Sequence, residues 1–186
     1  MKISSNIDQV WRGFVEAYQI KADEIGLPLI ESDPDWPSPC EFKTEQGTSW
    51  KPVSQVQQGH ENNFGNIRDA LGIEIHPDYQ AFFTLFFADN LNAQHKDGQL
   101  QYLQAWSQDD FERLQQNLIG HLMMKAKLKQ APTLFFALTE EEDLNLVLVN
   151  ESGEVWLEYV GKEPHKKIAT SLAEFITSTQ PVVNNP

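Results

Sequence analysis

Only one cysteine, Cys40, occurs in the 186 residues, so no internal disulfide can form and a reducing compartment is expected. Long apolar runs are missing too. The richest, AFFTLFFA from Ala81 to Ala88, contains a threonine and is far short of the ~18 residues needed to span a bilayer. The opening MKISSNIDQVWRGF has no apolar stretch behind its lone lysine and no small-residue cleavage site, so it does not read as a signal peptide. Catalytic and cofactor fingerprints are equally scarce: there is no GxSxG, no Walker loop, no GxGxxG and no HExxH. The five histidines, at 60, 76, 95, 121 and 165, never fall at HxxxH spacing. Basic residues are few. Together these absences favour a cytoplasmic protein with no cofactor and no metal, and they give no support to an enzyme.

What is present is acid. Fourteen Lys and Arg face twenty-seven Asp and Glu, a formal charge of −13. Three long segments hold no Lys or Arg: 22–42, 69–95 and 130–161. Phosphate backbones need a cationic footprint, so no nucleic-acid partner is expected, and anionic lipid would be repelled. Such charge either serves solubility or is tuned for a basic protein partner.

Hydrophobic residues make up 40% of the chain and aromatics 11%. A chain of this size removes roughly 70% of its unfolded surface from water, enough for a real core. Val10, Trp11, Phe14 and Tyr18 recur at helical spacing after Ile7, with Ser4, Ser5 or Asn6 as cap and Gly26 and Pro28 as the stop. The proline-rich ESDPDWPSPCEF denies both helix and central strand. An edge strand is predicted near Ser49 to Val53, on account of Pro52. A short helix places Phe64, Ile67, Ala70 and Leu71 on one face, ended by Gly72, and Ile73 and Ile75 alternate after it. HPDYQAFFTLFF follows as a second helix, with Pro77 in its first turn and Tyr79, Phe82, Phe83 and Phe86 inward. Residues 92–106 read as a hairpin whose Asp97-Gly98 supplies positive φ. Ser107 and Asp110 approximate a capping box for the longest helix, which buries Phe111, Leu114, Leu118, Leu122 and Met123 and carries Lys125, Lys127 and Lys129 at its end. TLFFALT, LNLVLVN and EVWLEYV form a meander, and Ser171 caps a last helix closed by Pro181. The sum is an α+β single domain: a mainly antiparallel sheet flanked by helices, with an N-terminal helix (1–26), a proline-rich loop and edge strand (27–62) and a helix, hairpin, helix, meander and helix body (63–180).

Few residues offer chemistry. Cys40, wedged between Pro39 and the acidic Glu41, reads as an inert thiol, and His121 as a satisfied histidine on a helix flank. Glu140 to Asp143 lacks the spaced oxygens and central glycine of a calcium loop. Asp109 and Asp110 point about 100° apart on a helix and are explained by capping. Trp36 stands in a polar loop with no periodic reason to be buried, either as an interface anchor or as a lid over the core. Because no single run holds enough charge, the candidate partner-binding residues come from several places: Asp33, Asp35 and Trp36; Asp109 and Asp110; and Glu140, Glu141, Glu142 and Asp143, which no helix cap requires as a set.

WPSPCEF, AWSQDDFERLQQNLIGHL, PTLFFALTEEEDL, ESGEV and LAEF occur in this order and together resemble the Syd family of gammaproteobacterial proteins. IRDALGIEIHPDYQAFFTLFFADN further resembles the signature segment of the wider SUKH superfamily, although Ala88-Asp89-Asn90 replaces its glycine-rich turn. The Syd resemblance implies a soluble protein held at the cytoplasmic side of the inner membrane through SecY, without a lipid anchor of its own. It further implies a role in checking or restraining SecY that lies outside a proper complex. Basic cytoplasmic loops suit a partner of charge −13. The SUKH resemblance implies the competing expectation of an immunity protein that neutralises a toxin.

Overall fold

The computed structural model describes residues 6–184. The chain runs α1 (Ile7–Ile25), β1 (Leu29–Ile30), β2 (Glu41–Thr44), β3 (Gly47–Trp50), β4 (Val53–Ser54), α2 (Gly65–Leu71), α3 (Pro77–Thr84) and β5 (Phe86–Phe87). It continues as β6 (Leu91–His95), β7 (Gly98–Tyr102), α4 (Gln108–Lys127), β8 (Thr133–Thr139), β9 (Leu144–Val149), β10 (Val155–Tyr159), β11 (Lys166–Ala169), α5 (Leu172–Thr177) and β12 (Gln180–Pro181). The frame is a seven-stranded sheet in the order β11-β10-β9-β8-β7-β6-β12, antiparallel throughout. The expected α+β fold is thus present, with the meander extended at both ends. Both added strands are short, and β12 ends in Pro181, which suits an edge where no N–H is needed.

Alternation along β8 divides the core. Phe136 meets Phe82 of α3, Tyr102 of β7 and Phe175 of α5, while Phe135, on the opposite face, meets the His121 ring of α4. The stripe on α1 delivers Trp11 into the first cluster, at 4.4 Å from Phe82 and 5.2 Å from Tyr102 between ring centroids. These offset and edge-on arrangements suit the ring quadrupoles. The core is contiguous from Ile7 to Val183, so the N-terminal helix belongs to it.

Several local expectations are corrected. Strand β3 is the centre of a three-stranded sheet, β1-β3-β2, not an edge. Pro52 falls between β3 and β4, where its missing N–H breaks no ladder. Ile73 and Ile75 lie in irregular chain ahead of α3, and Phe86 belongs to β5. Ala70 is exposed and Met123 is 57% exposed, each one step around its helix from the buried stripe. In the β6–β7 turn only Gly98 takes positive φ, at 149°, while the His95 ring accepts from the Asp97 N–H. Ser4 and Ser5 lie outside the described residues, and the Asn6 side chain makes no capping bond. Ser107 and Ser171 do cap, each accepting an N–H three residues on.

The end of α4 holds a buried ion pair that its lysine-rich pattern conceals. Lys125 is 1% exposed and its Nζ donates to Glu158 Oε2 at 2.9 Å and to the Lys162 carbonyl at 3.0 Å. Thr133 Oγ1 donates to the same carboxylate, and His121 Nε2 stands 4.0 Å from its other oxygen. Burial lowers the His121 imidazole pKa, partly offset by the Glu158 charge. Removing one partner strands the other in a dry site, which costs about 3–5 kcal/mol. Lys125→Ala is therefore expected to destabilise by about that much in urea unfolding, and Lys125→Met with Glu158→Leu to recover most of the loss. A Lys125→Ala midpoint equal to the parent's would contradict the assignment.

Candidate functional site

The proline-rich loop is held in shape by its own first aspartate. Asp33 Oδ1 accepts from the Asp35 N–H at 2.9 Å, and the Asp33 carbonyl from the Trp36 N–H at 3.0 Å, a side-chain-closed turn of the kind aspartate favours. Ser38 then ties the loop to the body, its Oγ donating to the Trp106 carbonyl and accepting from the Cys40 N–H. The facing wall is the start of α4. Asp110 N–H donates to Ser107 Oγ at 3.2 Å, and Asp110 Oδ2 accepts from the Trp106 N–H at 2.7 Å. This is a capping box that reaches one residue further back than usual. Segment 88–90 forms the base, joined to the sheet by Ala88 N–H to the Ala105 carbonyl and Gln104 N–H to Asn90 Oδ1.

Between these elements lies a cleft of about 540 Å³. Five carboxylates line it: Glu31, Asp33, Glu41, Asp89 and Asp110. Arg113 is the only Lys or Arg lining it among the described residues; its guanidinium lies 4.9 Å from the Trp36 ring centroid and donates to Asp110 Oδ1 at 2.8 Å. Asp89 keeps solvent contact, yet the surrounding walls desolvate it and raise its carboxyl pKa. The Asp110 charge adds to that rise and the Asn90 N–H opposes it. At the base, Gln104 donates to the Phe82 and Leu103 carbonyls, which fixes its amide orientation and leaves Oε1 with no partner.

Three of the candidate residues, Asp33, Trp36 and Asp110, therefore meet in one place. Asp35 and Asp109 stand outside the cleft on exposed surface. Glu140 and Glu141 border a second cavity of about 280 Å³ at the β6–β7 turn, while Glu142 and Asp143 line neither. That run is also more committed than its lack of a capping role suggests. Glu140 accepts from the Gln99 N–H, Glu141 from the Tyr159 hydroxyl, and Asp143 turns the chain at φ 61°. Glu31, Glu41, Asp89 and Gln104 are the site residues that spacing alone misses, because they converge only through folding. Among the described residues no group of three or more His, Cys, Asp or Glu is arranged to hold a metal ion.

The sequence segments that form the cleft are also among those that carried the family resemblance: WPSPCEF is its loop and AWSQDDF its helical wall. The family model described as "Syd protein (SUKH-2)" matches residues 4–181. The chain belongs to the Syd family. It is 45% identical to Protein Syd of Colwellia psychrerythraea over 94% of this chain and 92% of that one. It is 45% identical to Protein Syd of Alteromonas mediterranea over 98% of both, and 41% identical to that of Shewanella loihica over 97% of this chain and 83% of that one.

Cys40 borders this region but is sealed in it. It is 1% exposed, and burial pushes its thiol from 9.0 up to about 12, against the Ser38 hydrogen bond that lowers it. Thiolate reagents are thus expected to label it slowly in the native protein and rapidly in urea. Above pH 9 the unfolded chain releases this proton while the folded one retains it, so stability falls as pH rises from 9 toward 12. Cys40→Ala should flatten that fall in unfolding measured at successive pH values. The slope that remains belongs to the tyrosines: burial also raises the hydroxyl pKa values of Tyr18, Tyr79 and Tyr102, and the hydrogen bond to Glu141 raises that of Tyr159. An unchanged slope, or rapid native labelling, would contradict a sealed thiol.

Proposed function

We propose that this chain is a docking protein rather than an enzyme. Its acidic cleft receives the basic cytoplasmic loops of SecY, and so checks or restrains SecY that lies outside a proper complex. The observation that carries the reading is the cleft itself, with five carboxylates converging on one concavity. A pocket of that sign attracts Lys- and Arg-rich segments, and such segments are what the positive-inside rule places on the cytoplasmic loops of membrane proteins. Among the described residues no helix is long and apolar enough to cross a membrane. A charge of −13 is repelled by anionic lipid and drawn to those loops, so association with the cytoplasmic side of the inner membrane would run through SecY alone.

The rigid sheet and the capped α4 hold the carboxylates in place before a partner arrives, which reduces the ordering cost of docking. Charge steering then acts on the encounter rate. That rate for SecY should fall steeply as ionic strength rises and the Debye length shrinks to ~8 Å near 0.15 M. Glu31→Lys combined with Asp89→Lys is expected to lower SecY co-purification from solubilised membranes at least about tenfold, with little change in Tm, since neither residue caps a helix. Reversing Glu140 and Glu142 should weaken it less. If the cleft variant co-purifies as the parent does, and the rate is flat with salt, docking through this cleft is wrong.

A further inference from the structure

The cleft already contains one guanidinium, and its position indicates what the cleft prefers to hold. Arg113 lies between a flat ring, Trp36, and a carboxylate, Asp110. Trp36 is kept in place by the Asp33 turn, and Asp110 by its bond from the Trp106 N–H. Both halves of the seat are therefore built by the fold and not by Arg113. The arginine itself is loosely committed. Its side chain is 62% exposed, and of its five N–H donors one meets an acceptor among the described residues. Asp110 is only 15% exposed, but with its arginine this open to solvent the pair contributes little and is readily exchanged.

A second observation lies at the base of the cleft. Gln104 is 7% exposed, lines the same cleft, and its Oε1 has no partner. A buried amide acceptor left unpaired is unfavourable, and a donor brought into the base of the cleft, with a small shift of the amide, would satisfy it. The carboxylates around it select a positively charged donor.

We infer that Arg113 is an intramolecular placeholder: on docking, an arginine of the partner takes its seat between Trp36 and Asp110, and the cleft selects arginine over lysine. This rests on the reading of the cleft as a docking site and names the side chain it takes. The selection follows from shape. A guanidinium is planar and weakly hydrated, so it stacks on an indole while donating in its own plane to a carboxylate. An ammonium is compact and strongly hydrated, and can satisfy the carboxylate but not fill the stacked position. Arg113 thus lowers affinity for weakly basic segments and yields to one that offers guanidinium groups.

The probes are hexa-arginine and hexa-lysine peptides, titrated calorimetrically at one fixed ionic strength. The parent is expected to bind hexa-arginine more tightly than hexa-lysine. Arg113→Ala should raise hexa-arginine affinity about three- to tenfold, the equivalent of one cation–π contact released from competition, and hexa-lysine affinity less. Trp36→Leu should erase the preference between the peptides. Arg68→Ala, which removes an exposed arginine outside the cleft, controls for net charge and should change neither. Three results would each overturn the inference: Arg113→Ala leaving hexa-arginine affinity unchanged or lower, Arg113→Ala raising both peptides equally, or Trp36→Leu keeping the preference. Tm measured alongside shows whether a variant has lost its fold, and Arg113→Gln repeats the test with a longer neutral side chain. Should the peptide results fail while charge reversal at Glu31 and Asp89 still abolishes SecY co-purification, only the placeholder is lost and the docking cleft stands.

Discussion

Everything that makes the cleft depends on how the two polar groups of one peptide position, Trp106, are satisfied. This residue joins the end of the hairpin to the start of α4, a place where neither ladder nor helix supplies a partner. Its carbonyl accepts from Ser38, which pins the proline-rich loop, and its N–H donates to Asp110, which fixes the first turn of α4. Loop and helix are thereby set on either side of one strand end. Were Trp106 satisfied by water instead, the two walls would have no fixed separation.

The junction can be this exacting because the sheet behind it is closely packed. Strands β7 and β8 carry Tyr102 and Phe136, both fully buried among rings from α1, α3 and α5. The other end of α4 is anchored by the Lys125–Glu158 pair, so the helix that presents Asp110 and Arg113 is held at both ends. Such a buried pair adds little net stability against an apolar replacement. Its contribution here is registry, since Lys125 also binds the Lys162 carbonyl and thereby locks α4 to the β10–β11 turn.

Much of this was legible in the sequence, and what was not has a physical pattern. The stripe of α1, the Ser107 and Ser171 caps, the Pro77 start of α3 and the strands of the meander each rest on contacts within a few residues, which periodicity and capping chemistry report directly. Strands β1 and β12 are two residues long and are defined by pairing with distant chain, while β2 and β11 pair with near neighbours but at four residues are too short for alternation to mark them. Lys125 looked like a dipole-matching surface lysine; nothing near it in sequence reveals Glu158 waiting thirty-three residues on. The site divides in the same way. Asp33, Trp36 and Asp110 stand out as exposed acid, odd aromatic and cap. Asp89 and Gln104 are ordinary until the hairpin brings them beneath that loop.

Placing five carboxylates around one cavity has a cost that the fold bears in the absence of a partner. Desolvation first, and then the nearby Asp110 charge, raise the pKa of Asp89, so part of that rise is like-charge repulsion. A site complementary to cations is for the same reason slightly wrong when empty. Two devices reduce the error without removing the complementarity. Hydrogen bonds consume part of the charge: Glu41 accepts from Ser32, and Asp33 and Asp110 accept from backbone N–H groups. Arg113 neutralises part of the rest from an exposed, exchangeable position. A buried lysine in the same cavity would have stabilised the empty form more and left less for any partner to gain. Under the proposed docking role, this arrangement would keep the free protein folded and leave most of the electrostatic benefit to be realised on binding, which is what would separate a docking surface from a solubilising one.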